Sequence, residues 1–257
     1  MCKKRMMDKS RLFETFLKYS DEKEKTAKVL GELLAHLDKH SGANLLDVGS
    51  GKGGLLCRAL INALPRKVAA ITLLEPDPWC VAQLQKLKKE ITSASIDIEC
   101  LCFEEHAINK QYDVIIASHV PFKKRTVRSV YNKMLEALAP SGLLIIIVRG
   151  RDDVHEFREK SISMLAGHRV RSFCLDDSNR ALSRLPNLAI EYRQVKAKLS
   201  WPSWKSSDYK RLVEFLLNVR WRNLTQWQQN EIRSFVVEHD QAFRILDIVI
   251  LVRKRKK

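Results

Sequence analysis

The sequence predicts an α/β protein built on a seven-stranded, mostly parallel, doubly wound sheet. Three observations carry this prediction. Apolar runs of strand length alternate with helix-length segments through residues 44–148. These runs are apolar on both faces, which is typical of parallel strands that helices cover on each side. The last run, residues 243–252, is strongly β-prone and predicts a seventh strand that returns late to the sheet.

Two helices are predicted before the first strand. Residues 20–40 repeat apolar side chains at helical spacing, and Ser20 suits the N-cap position because two acids follow it. A shorter helix that contains Phe13, Phe16 and Leu17 is predicted upstream of this one. Tyr19 lies at the junction between the two helices.

The alternating part of the chain predicts five strands with helices between them. The strands are 45–48, 68–74, 96–101, 112–117 and 143–148, and the helices are 54–64, 79–91 and 126–138. Asp77 and Pro78 suit the N-cap and the first position of the second helix. Pro140-Ser141-Gly142 predicts a turn that ends the third helix and starts the fifth strand.

After Gly150 the pattern loosens. Residues 151–187 are polar and broken, and they predict one helix at 152–165. A sixth strand is predicted at 189–199. Helices predicted at 207–219 and 225–239 would form a helical lid, about residues 199–239, between the last two strands. Within it, Trp221 and Trp227 are expected to pack in the core or at a hinge.

Composition argues against several classes of protein. No apolar run reaches the ~20 residues that a membrane-spanning helix requires, and the first residues lack the apolar stretch of a secretion signal. The six cysteines are scattered without a CxxC pair, and no histidine cluster accompanies them. We therefore expect no metal site, no disulfide framework and no membrane partner, in a cytoplasmic protein with reduced thiols.

The chain is strongly basic, with a formal net charge of +16. Part of the excess lies in the C-terminal tail, residues 253–257, which are all basic. A basic run without an acid comprises Lys123, Lys124, Arg125, Arg128 and Lys133. Such a run attracts phosphates or an acidic partner, including RNA. The alternative is a solvated helix face.

The most informative segment is Asp47-Val48-Gly49-Ser50-Gly51-Lys52-Gly53, directly after the first predicted strand. Glycines at alternate positions let a ligand approach the backbone where any side chain would collide with it. A nicotinamide-binding turn is an open alternative, because Gly49, Gly51 and Gly54 also have the Gly-x-Gly-x-x-Gly spacing of such turns.

Three companion segments favour a different family. Leu73-Leu74-Glu75-Pro76 ends the second strand, Ser118-His119-Val120 follows the fourth, and Pro140-Ser141-Gly142 precedes the fifth. In this order and at these intervals, they and the glycine turn resemble class I S-adenosylmethionine-dependent methyltransferases, which have a Rossmann-like fold. The resemblance covers residues 20–150 well and the remainder by strand count alone.

The resemblance implies S-adenosyl-L-methionine as the cofactor. It implies that Glu75 bonds the ribose diol, that Phe103 stacks on the adenine, and that Glu104 accepts a hydrogen bond from the adenine amine. A plain loop at 102–105 is the alternative. The implied cofactor-binding residues are Asp47, Gly49, Ser50, Gly51, Gly53, Glu75, Pro76, Phe103, Glu104, Ser118 and Tyr19.

The methyl acceptor is less well defined by the residues. His119 is the candidate general base, with simple packing as its alternative. The Asn/Asp-Pro-Pro-Tyr/Phe signature of enzymes that methylate amines of nucleobases is absent. Together with the lid, the tail of the fourth strand resembles the small-molecule branch of histamine N-methyltransferase-like proteins, with Phe122, Trp201 and Trp204 as candidate substrate-binding residues.

We therefore expect methyl transfer to an N or O atom of a small molecule. Two alternatives stay open, an RNA or protein methyltransferase that docks through the basic segments, and a cofactor-binding protein of this fold without turnover. The expected organisation is an N-terminal helical extension (1–40), a cofactor-binding core (41–150), the rest of the sheet with the lid (151–252), and the basic tail (253–257).

Overall fold

A computed structural model describes residues 12–35, 42–52, 68–91, 94–120 and 122–255. Two compact units contain these residues. Unit 1 holds the described residues of Met1–Lys25, Arg149–Cys174 and Val195–Asp247. Unit 2 holds those of Thr26–Val148, Leu175–Gln194 and Ile248–Lys257. The predicted helix 54–64 and the candidate residue Gly53 lie outside the described residues.

A seven-stranded sheet runs through the structure, as predicted. Its strands are β1 (Ala43–Val48), β2 (Val68–Leu74), β3 (Ser95–Glu99), β4 (Tyr112–Ser118), β5 (Leu138–Arg149), β6 (Leu188–Ser200) and β7 (Ala242–Lys254). The strand order is β3-β2-β1-β4-β5-β7-β6, and β1 to β5 pair in parallel. The predicted mostly parallel, doubly wound fold is confirmed.

The last two strands pair in the opposite sense. The amide of Trp201, just after β6, donates to the carbonyl of Gln241, just before β7, at 2.8 Å. At the other end, the amide of Arg255 donates to the carbonyl of Asn187, also at 2.8 Å. The start of one strand therefore lies beside the end of the other, so β6 and β7 are antiparallel. Because β7 reaches Lys254, the predicted basic tail contributes its first two residues to the strand.

The described helices agree closely with the sequence patterns. They are α1 (residues 12–19), α2 (Glu22–Ala35), α3 (Pro78–Glu90), α4 (Val127–Ala137), α5 (Asp153–Ala166), α6 (Leu175–Leu182), α7 (Ser207–Leu217) and α8 (Gln226–Glu238). The carboxylate of Asp77 accepts a hydrogen bond from the amide of Trp79 (2.9 Å), which confirms it as the N-cap of α3. No described helix is both long and apolar enough to cross a membrane.

Helix α6 is missing from the sequence prediction. It has only eight residues, and its buried positions include the polar residues Asp177 and Ser178. A helix this short, with polar side chains on its inner face, gives little apolar periodicity for a prediction to use.

The segment Pro140-Ser141-Gly142 is not a turn before β5, as predicted, but an irregularity within it. Tyr112 pairs with Leu138 and Val114 pairs with Leu143, so β5 carries additional residues opposite β4. A Cβ atom at Gly142 would lie 2.7 Å from Cγ of Leu138 and 3.0 Å from the carbonyl oxygen of Tyr112. Glycine is therefore required by the side chain of Leu138 within β5 and by the approach of the Tyr112 carbonyl of β4.

The helices of unit 1 share one aromatic core. Phe157 of α5 contacts Trp201, Phe235 and Phe243 at ring-centroid distances of 5.4 to 5.6 Å. Trp221 is buried in this core, as expected. The expectation for Trp227 is wrong, because its side chain is 60% exposed. It precedes the buried residue Ile232 of α8 by five positions, a spacing that turns it away from the inner face of a helix.

Candidate active site

The carboxyl ends of β1, β2 and β4 meet at one edge of the sheet in unit 2. In the register of these strands, Asp47 of β1 lies beside Leu73 of β2 and Ile116 of β4. The segments that follow the three strands are therefore neighbours. They contain the glycine turn, Glu75 and His119, and an open parallel sheet binds ligands in the crevice at this edge.

The glycine turn is attached to the end of β2 through its backbone. The amides of Gly49 and Ser50 both donate to the carbonyl of Leu74, at 2.8 and 3.0 Å. The hydroxyl of Ser50 donates to the carbonyl of Asp47 at 3.0 Å. Asp47 itself is buried. These bonds fix the path of the backbone where the chain leaves β1.

Two glycines of the turn need the freedom of this residue type for different reasons. Gly49 has a φ of +72°, and a Cβ atom there would lie 2.9 Å from Cγ2 of Val120. Gly51 has a φ of +61°, yet a Cβ atom there would meet no atom of the described residues within 4 Å. The first glycine is required by packing against the end of β4, whereas the second faces open space in which a ligand can lie.

Glu75 joins the glycine turn to the start of α3. One carboxylate oxygen accepts from the amide of Gly51 (2.8 Å) and the other from the amide of Asp77 (2.9 Å). The side chain is only 8% exposed. Burial raises the pKa of Glu75, and the two amide donors oppose this effect. Each carboxylate oxygen can accept a further hydrogen bond, so the group can bind a diol and still hold the turn.

The end of β4 carries two further candidates. The hydroxyl oxygen of Ser118 is buried and has no hydrogen-bond partner among the residues that the structure describes. His119 has a φ of +53°, an uncommon conformation for a residue other than glycine, and its amide donates to the carbonyl of Ile147 at 2.9 Å. Strained backbone of this kind concentrates at functional sites.

The turn after β3, residues 102–106, holds the predicted adenine contacts. Phe103 is only 3% exposed, and its ring centroid lies 5.2 Å from the ammonium nitrogen of Lys133. This placement is typical of a packing residue and corrects the expectation of a stacking surface. Glu104 is exposed, as is Pro76 at the end of β2.

Phe122, a predicted substrate contact, is buried against Tyr131 at a ring-centroid distance of 5.7 Å.

The basic run is only partly available to a partner. The ammonium of Lys133 is bonded to backbone carbonyls, that of Lys124 lies 3.5 Å from the carboxylate of Asp177, and Arg128 donates to the carbonyl of Arg184. Lys123, Lys124, Arg125 and Arg128 are all exposed, and only Lys133 is partly buried. Three of the five predicted anion-binding residues thus have contacts within unit 2.

The remaining candidates belong to unit 1. The hydroxyl of Tyr19 donates to the carboxylate of Asp208 at 3.0 Å. Trp201 is only 6% exposed, with its ring against Tyr209 and Phe243, so it lies in the core and not in a loop pocket as expected. Trp204 is 49% exposed, and the guanidinium carbon of Arg233 lies 4.3 Å from its ring centroid.

Sequence reasoning missed a buried charge cluster in unit 1. Arg149, the last residue of β5, donates to the carboxylate of Glu22 at 2.6 Å and lies 3.2 Å from Asp247 and 3.6 Å from Asp152. Burial alone would lower the pKa of Arg149, but the three carboxylates raise it above its usual value. The available signal was the single acid, Asp247, inside the apolar run of β7.

One protein family matches most of this chain. The family described as "Methyltransferase domain" matches residues 16–215. A malonyl-[acyl-carrier protein] O-methyltransferase of Acetivibrio thermocellus is 27% identical over 135 residues, which are 52% of this chain and 45% of that protein. The matched segments of the curated relatives cover half of their length or less.

Solved structures share the fold at low sequence identity. The YcgJ protein of Bacillus subtilis has a TM-score of 0.59 at 15% identity, over 89% of this chain and 98% of that one. A SAM-dependent methyltransferase of Thiobacillus denitrificans, solved with S-adenosyl-L-homocysteine, has a TM-score of 0.52 at 15% identity, over 87% and 90%. The predicted resemblance to histamine N-methyltransferase-like proteins is not supported.

Proposed function

Because this chain belongs to the methyltransferase-domain family, we propose that it transfers the methyl group of S-adenosylmethionine to an oxygen or nitrogen atom of a small molecule. The contact between Gly51 and Glu75 is the observation that carries the proposal. Gly51 leaves space where a side chain would stand, and Glu75 presents carboxylate oxygens beside it. A nucleoside with a vicinal diol fits this combination of open backbone and acceptor oxygens.

S-adenosylmethionine, when bound, supplies a methyl group that is already activated on a sulfonium. The protein then has to orient the bound cofactor. Glu75 accepts from the ribose hydroxyls, while its bonds to Gly51 and Asp77 keep the carboxylate in place. Asp47, Gly49 and Ser50 form the backbone platform at the end of β1 for the rest of the cofactor.

The end of β4 serves the acceptor side of the reaction. The hydroxyl of Ser118 offers a buried group that can bond a ligand. His119 takes the proton that the acceptor atom loses when the methyl group arrives, because a neutral imidazole accepts a proton near physiological pH.

An oxygen acceptor is favoured by the similarity to a protein named as an O-methyltransferase. Docking of RNA through the basic run is less well supported. Lys133 is partly buried against backbone carbonyls and Lys124 lies beside the carboxylate of Asp177, so these two charges are less available for phosphates. Small molecules are therefore the first class to test.

Calorimetric titration with S-adenosylmethionine and S-adenosylhomocysteine tests the first step. We expect saturable binding of both at one site per chain, and the absence of binding to either would overturn the proposal. The methyl-labelled cofactor should then be incubated with small-molecule, RNA and protein fractions of a cell lysate. Label in the small-molecule fraction supports the proposed acceptor, and label confined to RNA or protein contradicts it. Cofactor binding without transfer to any fraction would indicate a non-catalytic protein.

A further inference from the structure

Lys133 of α4 has all three protons of its ammonium group engaged by one short segment. Its nitrogen donates to the carbonyl oxygens of Phe103 (3.0 Å), Glu104 (2.7 Å) and His106 (2.8 Å). An ammonium has three donors that point in different directions, and here each has a backbone acceptor. The planar guanidinium of an arginine cannot reproduce this arrangement.

The three carbonyls belong to the turn of residues 102–106 after β3. Within it, the amide of Glu105 donates to the carbonyl of Cys102 (3.0 Å) and the amide of His106 to that of Phe103 (3.2 Å). The turn exposes residues 102, 104 and 105 and buries residues 103 and 106. Lys133 therefore holds the inner side of the turn, and the outer side is free to meet a ligand.

A second set of contacts holds the same turn. The ring of His106 bonds to the carboxylate of Glu99 at 2.9 Å and to the hydroxyl of Tyr112 at 3.2 Å. Together with Lys133, these residues connect the turn to β3, β4 and α4. A turn of five residues supported from three elements has one well-defined backbone conformation.

The supported turn lies beside the ribose-binding end of the proposed site. Strand β3 pairs with β2, and the amide of Glu75 donates to the carbonyl of Glu99 at 3.1 Å. The thiol of Cys100 lies 3.9 Å from the carbonyl oxygen of Pro76. The exposed side of the turn therefore lies next to Glu75 along the carboxyl-terminal edge of the sheet. The base of a nucleoside would extend in this direction beyond its ribose.

We propose that Lys133 is a positioning residue for recognition of the purine of the cofactor, acting through the turn and not by contact with the ligand. This inference rests on the proposed function. It assigns to Lys133 a role other than attraction of phosphates. Loss of the three hydrogen bonds of Lys133 should weaken the binding of an adenine more than the binding of a purine that forms no hydrogen bond with the turn.

The test compares S-adenosylhomocysteine with S-inosylhomocysteine, in which an oxygen replaces the 6-amino group of the purine and N1 carries a proton. We expect the unmodified protein to prefer the adenosyl compound by about tenfold, roughly one hydrogen bond. In Lys133→Met this preference should fall to near unity. Lys133→Arg should behave like Lys133→Met because charge alone does not restore three-way bonding. Lys124→Met is the matched control and should keep the preference of the unmodified protein.

The outcomes separate this inference from the proposed function. If the unmodified protein binds neither compound, the proposed function fails. If it binds S-adenosylhomocysteine but the preference is the same in Lys133→Met, only the role of Lys133 is overturned. If the variants do not fold, amide hydrogen exchange of the unmodified protein tests the inference instead. The amides of residues 102–106 must become more protected when S-adenosylhomocysteine binds, and unchanged exchange there refutes the inference.

Discussion

The carboxylate of Glu75 lies 2.8 Å from the amide nitrogen of Gly51 and accepts its hydrogen bond across 24 positions of sequence. One side chain thereby fixes the glycine turn and presents acceptors to a ligand beside it. Because burial raises the pKa of Glu75, ligand affinity and the stability of the ligand-free protein should change with pH in opposite directions.

Affinity for S-adenosylhomocysteine should decrease when the pH is lowered through the raised pKa of Glu75, above the ordinary value of 4.5. Protonation turns one acceptor oxygen into a donor, which removes a bond to the ribose. Calorimetry between pH 7 and pH 5 measures the change. Glu75→Gln should bind at least about tenfold more weakly at pH 7, and its affinity should vary less with pH. An equally steep profile in this variant would assign the titration to another group.

The stability of the ligand-free protein should follow the opposite trend. A carboxyl group whose pKa is higher in the folded state than in the unfolded state favours folding most below the unfolded value. This contribution is lost as the pH rises through the folded pKa of Glu75. Urea unfolding of the unmodified protein and of Glu75→Gln over the same pH range gives the difference, which should decline with increasing pH.

Replacement of Gly51 tests whether the open side of the turn is a ligand site. Gly51→Val should reduce affinity for S-adenosylhomocysteine by about 100-fold or more, because its side chain fills the space that the cofactor requires. Gly167→Val is the matched control. Gly167 ends α5 with a φ of +69° and also has no neighbour among the described residues within 4 Å of a Cβ position. Both variants carry a similar backbone strain of about 1–2 kcal/mol, so equal affinities would contradict the site assignment.

Gly49 and Val120 should be energetically coupled. Gly49→Ala should lower the free energy of unfolding by about 2 kcal/mol, from the positive φ and the contact with Val120. Val120→Ala removes the methyl group that lies 2.9 Å from the new Cβ. In that background the cost of Gly49→Ala should fall by about 1 kcal/mol. A double-mutant cycle in urea measures the coupling, and strict additivity would show that the close contact has no energetic weight.

The guanidinium of Arg149 should be essential for the stability of unit 1. Arg149→Met leaves Glu22, Asp152 and Asp247 without their shared cation, and loss of one partner of a buried ion pair costs about 3–5 kcal/mol. Arg244→Met is the control, because the side chain of Arg244 is 88% exposed although it also binds a carboxylate, that of Asp153. Its replacement should cost much less, because exposed ion pairs contribute little to stability. Chemical unfolding that gives equal losses would argue against a special role for the buried cluster.

The sequence predicts those features that depend on local pattern. The bounds of β2 agree with the prediction, because continuous apolar residues between polar segments leave little choice of register. The position of Glu75 follows directly from the end of that strand. Asp77 could be identified as an N-cap for the same reason, since its function involves only the next two residues.

Features that join distant segments could not be predicted. Lys133 bonds to residues 27 to 30 positions away, and Glu22 lies 127 positions from Arg149. No residue near Lys133 in the sequence distinguishes it from a solvated lysine, so the sequence pattern groups it with its basic neighbours. Trp201 was misjudged because a loop position says little about burial once the fold covers the loop with aromatic rings.

The position of β6 at the end of the strand order has a consequence for the behaviour of the protein at high concentration. An outermost strand of 13 residues offers unpaired peptide groups to any other polypeptide. Here its exposed positions include the charged residues Glu191, Arg193, Lys196 and Lys198, and Asp21 bonds to both the amide and the carbonyl of Lys198. Charge and this local cover oppose edge-to-edge growth of the sheet, which protects the fold against fibrous aggregation.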